Sequence, residues 1–103
     1  MLRLNVKNET SRLRAVVLGS AVSNGPTPSI EEAYDPKSLE HIKAGTYPVE
    51  KDMVAEMKAF NAVFKKYGVK VYRPETIENY NQIFARDIGF VIDDVFVKSN
   101  ILP

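Results

Sequence analysis

Residues 15–19, Ala15-Val16-Val17-Leu18-Gly19, are an unbroken apolar run rich in β-branched side chains and closed by a glycine. A run this short, with no polar alternation, reads as a β-strand buried on both faces. Downstream, Val49, Met53, Met57, Phe60, Phe64 and Tyr67 recur every three or four residues. That spacing predicts one amphipathic helix with these side chains on its core-facing side. Pro48 suits its first turn and Gly68 its C-terminal stop, while Lys51, Glu56, Lys58 and Lys65 fall mostly between the apolar positions. Val69-Lys70-Val71-Tyr72 then alternates as a strand does, and Arg73-Pro74 ends it. Strand, helix, strand implies a right-handed crossover between parallel strands, and hence an α/β fold.

The segment from Ser20 to Thr46 has a different character. Asn24-Gly25-Pro26, Pro28, Asp35-Pro36 and Gly45 punctuate it. So long a connection is expected to be functional or partly structured, residues 29–34 or 38–43 each able to form a helical turn, and either way it is where this chain is expected to touch a ligand. After the second strand, residues 75–81 are polar and loop-like and lead into Ile83-Phe84-Ala85-Arg86-Asp87. Residues 89–98 place two apolar runs around Asp93-Asp94 and predict a β-hairpin. No helix is predicted between it and Ile101-Leu102-Pro103, so its apolar faces need cover from elsewhere. The expectation is that residues 1–103 form a single segment, the first part of a larger domain or a homo-oligomer that covers the hairpin with a neighbour.

The chain has 103 residues, 45% hydrophobic and 26% charged, the balance of one globular domain. Its formal charge of +1 is too small for affinity built on neutralising phosphates, so nucleic acid is not an expected partner. With no cysteine, these residues hold no disulfide, thiolate metal site or thiol nucleophile. One histidine, His41, excludes a multi-histidine metal site. No apolar stretch reaches the ~20 residues of a membrane span. Arg3, Lys7 and Glu9 stand where a signal peptide would have its apolar core. The expected setting is cytoplasmic, without a membrane partner.

Few residues are candidates for chemistry. Arg86-Asp87 stands immediately before a nearly all-apolar strand, and a charge held at the mouth of a sheet is suited to meeting a ligand. The competing reading is an ordinary solvated ion pair. Asp93-Asp94 is better explained by turn geometry than by paired-carboxylate chemistry. His41 lies in the polar segment with no second ligand near it and reads as a surface residue. The Met and aromatic side chains of the long helix read as core packing rather than a cofactor pocket. Gly19-Ser20-Ala21 lacks the further glycines of a phosphate cradle. No cofactor or metal is expected.

Taken in order, Ser11-Arg12-Leu13-Arg14-Ala15-Val16-Val17-Leu18-Gly19-Ser20-Ala21, the long connection, the helix, Gly68 to Pro74, and Ala85-Arg86-Asp87-Ile88-Gly89-Phe90-Val91-Ile92 resemble the N-terminal part of the amidinotransferases. These belong to the guanidino-modifying enzymes that include arginine deiminase and dimethylarginine dimethylaminohydrolase. The similarity runs from about residue 9 to residue 101. It implies a partial pentein fold, one ββαβ module plus the opening hairpin of a second, with the remaining modules as partners. In such enzymes a cysteine thiolate attacks the guanidinium carbon and a histidine serves as acid and base. Both would lie outside this sequence, since His41 matches neither motif, so no catalytic residue is expected in this chain. The resemblance assigns Asp87 to the carboxylate that binds the guanidino substrate and Arg86 to positioning its loop. A carboxylate suits a planar cation because it offers two acceptor oxygens in one plane. The alternative is a non-catalytic α/β module that self-associates through its hairpin.

Overall fold

The computed structural model describes residues 2–33 and 35–101. Among these residues the chain is mixed α/β, with two small sheets and two helices. Strand β1 (Ala15–Val17) is followed by a single 3-10 turn at Ile30–Glu32, then helices α1 (Pro36–Ala44) and α2 (Glu50–Lys66). Strand β2 (Lys70–Tyr72) comes next, then a 3-10 turn at Ala85–Asp87 and strands β3 (Gly89–Ile92) and β4 (Val95–Lys98).

The expected parallel pairing is present, β1 and β2 lying with Val16 opposite Val71 and Val17 opposite Tyr72. Their pairing extends past the strands, the Leu18 amide donating to the Tyr72 carbonyl at 2.9 Å. The expected burial of β1 on both faces is not found. Leu18 is buried, but Val17 is 52% exposed. The sheet has only two strands and α2 packs against β2, so alternate side chains of β1 fall on a covered and an open face. Buried apolar side chains among the described residues are Leu18, Ala21 and Val69, clustered where the two strands meet the loops that leave them.

Helix α2 forms where its spacing predicts, with a correction to its buried face. Met53, Met57 and Phe64 are partly buried, whereas Val49, Phe60 and Tyr67 are exposed, Tyr67 to 65%. At about 100° per residue, Val49, Phe60 and Tyr67 line up along one edge of the apolar stripe. The helix rolls away from that edge and half-buries Glu50, Val54 and Asn61 beside the methionines. On that side the Glu50 carboxylate accepts a bond from the Gly25 amide at 3.2 Å. Pro48 lies just before the cap residue Val49 rather than inside the first turn. Gly68 ends the helix at φ 71°, a left-handed conformation that a side chain disfavours.

The segment from Ser20 to Thr46 is more structured than a loop. Its first expected turn is confined to Ile30–Glu32, and Tyr34 lies outside the described residues. Its second grows into α1, capped by the Asp35 carboxylate, which accepts from the Ser38 amide.

The predicted hairpin is present, Ile92 pairing with Val95 across the Asp93-Asp94 turn. Asp93 sits at φ 54° and exchanges backbone bonds with Val6, while its carboxylate meets the Lys7 ammonium at 2.8 Å. The turn reading of the two aspartates therefore holds. The register puts Phe90, Ile92, Val95 and Val97 on one face, all exposed. Leu102 and Pro103 lie outside the described residues. No described helix is long and apolar enough to cross a membrane.

Candidate functional site

Beyond the carboxyl end of β1 lies an open cleft of about 960 Å³. Val17 from β1 and Pro74 just after β2 form part of its wall. Ligands of open α/β sheets bind beyond the carboxyl ends of parallel strands, because loops leaving there diverge and leave a crevice. Residues 77–88 supply most of the remaining lining, through Ile77, Tyr80, Asn81, Gln82, Phe84, Ala85, Arg86, Asp87 and Ile88. Ser99, Asn100 and Ile101 complete it.

Polar bonds hold the loop of residues 75–83 in shape. The Gln82 side chain accepts from the Ile77 amide at 2.8 Å and donates to the Glu75 carbonyl at 2.7 Å, closing the loop on itself. The Asn81 side chain accepts from the Ile83 amide at 3.2 Å. Ser23 fastens the loop from outside, its hydroxyl accepting from the Asn79 amide at 3.0 Å and its carbonyl from the Tyr80 amide at 3.1 Å. Asn79 stands at φ 55°, a conformation asparagine tolerates. Between loop and strand, the Ala85–Asp87 turn is closed by the Asp87 amide on the Phe84 carbonyl at 3.0 Å. The Ser99 amide on the Ile88 carbonyl, at 2.9 Å, brings the exit of β4 back to the same place.

Both sequence-predicted site residues, Arg86 and Asp87, line this cleft. Their side chains are 84% and 62% exposed, and Arg86 Nε lies 3.9 Å from Asp87 Oδ1. That separation is an ionic contact but too long for a hydrogen bond. The Arg86 guanidinium carbon also stands 5.7 Å from the centre of the Phe84 ring. Asp87 is therefore a solvent-accessible carboxylate in a cleft whose lining also includes Phe84, Tyr80, Ile77 and Ile101. This arrangement suits a cation that carries an apolar body: the carboxylate supplies directed acceptors, and the walls give the body somewhere to leave water.

The segment from Ser20 to Thr46, expected to meet the ligand, contributes no described residue to the cleft. Its polar groups are occupied with structure, Ser20 and Ser23 on the loop and Gly25 on α2. His41 is on α1 with Nδ1 2.8 Å from the Thr46 hydroxyl, away from the cleft lining. Among the described residues no group of three or more His, Asp or Glu side chains is placed to hold a metal ion. Sequence reasoning missed Ile77, Tyr80, Gln82 and Phe84 as wall residues. The available signal was an isoleucine and a tyrosine in an otherwise polar connection.

Comparisons with protein-family models, with curated proteins and with solved structures find no match to this chain.

Proposed function

We propose that this chain is the N-terminal part of a guanidino-modifying enzyme of the amidinotransferase group, cytoplasmic and built on the pentein plan. In this reading Asp87 orients the guanidinium of an arginine-like substrate, and Arg86 helps to position the turn that bears it. The cysteine nucleophile and the histidine acid/base come from modules outside this sequence, and those modules cover the exposed hairpin. The observation that carries the reading is the solvent-accessible carboxylate of Asp87 on an otherwise largely apolar cleft wall at the carboxyl end of β1. A carboxylate that is mostly open to solvent, with apolar walls alongside, matches a planar cation with several N–H donors on an alkyl stem.

The test is incubation of the protein, at the length its source produces, with L-arginine alone and with L-arginine plus a primary amine as acceptor, each followed by acid quench and intact-mass measurement. The reading expects a chain longer than these residues, turnover of arginine, and a covalent species heavier by one amidino group. A native chain ending at Pro103, or one that leaves arginine and other guanidino compounds unchanged, overturns it.

The hairpin favours a second reading, a non-catalytic module that self-associates. Phe90, Ile92, Val95 and Val97 form an exposed face of a kind seldom left uncovered in a monomer. Concentration-dependent sedimentation of a chain that leaves guanidino compounds intact would favour this reading over the first.

A further inference from the structure

The Arg86 side chain is placed against the two groups a bound guanidinium would use. Its guanidinium carbon is 5.7 Å from the centre of the Phe84 ring, within cation–π range. Its Nε is 3.9 Å from the Asp87 carboxylate. We infer that Arg86 is an internal competitor for the ligand cation: it stands over the Phe84 face and beside one oxygen of the Asp87 carboxylate, and a guanidinium that takes up both groups displaces it. This rests on the function proposed above for Asp87 and replaces the turn-positioning role given there to Arg86.

Several features fit an occupant that can leave. Both contacts are weak, because the ionic pair exceeds hydrogen-bonding distance and the Arg86 side chain is 84% exposed. The three residues lie on one short turn, whose shape is set by the Asp87 amide on the Phe84 carbonyl and the Ile88 amide on the Ala85 carbonyl. Neither bond uses the Arg86 side chain, so its departure leaves the turn intact. The chemistry is selective as well. Arg86 presents a flat delocalised cation, and the ring and carboxylate oxygen it stands beside favour a flat cation over a compact ammonium.

The experiment uses the full-length protein, with ethylguanidine and ethylamine as probes and binding read from the Asp87 side-chain carbon resonance. Arg86→Gln removes the occupant while retaining a polar side chain of similar reach. Loss of a surface cation–π contact and an exposed ion pair should tighten ethylguanidine binding about 3- to 10-fold. Ethylamine binding should change less. In the parent the Arg86 Nε–H signal should carry a ring-current shift that Phe84→Leu abolishes and that saturating ethylguanidine removes, and the second change is one that an arginine fixed in the structure would not show. Equal tightening for both probes means plain charge repulsion and overturns the inference. Ethylguanidine binding to the parent with no gain in Arg86→Gln overturns it while leaving the proposed function standing. Binding to neither protein sinks both.

Discussion

The Ser20 amide donates to the Gln82 carbonyl at 2.9 Å, and this bond ties the exit of β1 to the loop that walls the cleft. Gly19, one residue earlier, makes the approach possible, because a Cβ there would fall well inside contact distance of the Ile83 and Gln82 carbonyl oxygens. Gly19→Ala must push the loop away or strain β1. The expected cost is about 1–3 kcal/mol, the range for overpacking. It would be read as a lower urea midpoint, with the largest chemical-shift changes at Gln82 and Ile83. An unchanged midpoint would mean that the loop yields freely.

Gln82 works from the other side of the same loop, bonding the Ile77 amide and the Glu75 carbonyl with opposite ends of one amide group. Gln82→Ala should cost about 0.5–1.5 kcal/mol per bond lost, and less where water takes over the exposed partner. Gln82→Glu keeps the acceptor and loses the donor. Hydrogen exchange at the Ile77 amide should therefore accelerate in Gln82→Ala and stay near the parent rate in Gln82→Glu.

Asp87→Asn separates site from scaffold. The Asp87 backbone amide holds the turn while its carboxylate stands in solvent, so the substitution should leave the urea midpoint within about 0.5 kcal/mol of the parent. Ethylguanidine binding should weaken about 10- to 100-fold, the loss of charge-assisted hydrogen bonds. Affinity that survives the exchange would remove Asp87 from the role proposed for it.

Those features were unevenly legible in the sequence. The parallel pair, the long helix and the hairpin follow from periodicity, because Val16, Met57 and Val95 belong to runs whose spacing admits one regular element each. The buried side of α2 did not follow. Phe60 and Tyr67 share the apolar stripe, but the half-buried side includes Glu50, on the adjacent arc, which bonds the Gly25 amide. That bond joins residues 25 positions apart, and no local pattern encodes it. The same holds at the cleft. The charged pair Arg86-Asp87 stands out before an apolar strand, whereas Tyr80 becomes a wall residue only because Ser23 holds its loop in place.

Helix α1 gives a pH prediction. The Ser38 hydroxyl on the Asp35 carboxylate, and then the Ser38 amide, hold the Asp35 pKa below its ordinary value of 3.8. The charged form is thus favoured in the folded chain. Its stabilisation is fully present above the ordinary carboxylate value and is lost as pH falls through the lowered one. The Cα shifts of residues 36–39 should accordingly move toward coil values in acid. In Ser38→Ala the Asp35 side-chain carbon should titrate at higher pH than in the parent. Asp35→Asn retains a capping oxygen and should remove the acid dependence of those shifts.

The two faces of the hairpin make different predictions. Phe90, Ile92, Val95 and Val97 share one face and are exposed, whereas on the other face Val91 is partly buried opposite Phe96. Val95→Lys places a charge on the open face. Little packing is lost there, so the change in stability should stay within about 0.5 kcal/mol. Val91→Lys puts the same charge at a partly buried position, opposite an exposed Phe96, and should lower the urea midpoint. If the open face joins copies of the chain, the parent's sedimentation coefficient rises with concentration and that of Val95→Lys stays flat. Association that persists in Val95→Lys would move the contact elsewhere, and the exposed edge of α2 at Phe60, Val63 and Tyr67 is the next face to charge. If other modules of the same enzyme cover the face instead, the full-length protein sediments as one species at every concentration. Val95→Lys then destabilises it, because burying an unpaired ammonium carries a desolvation cost that the exposed hairpin never meets.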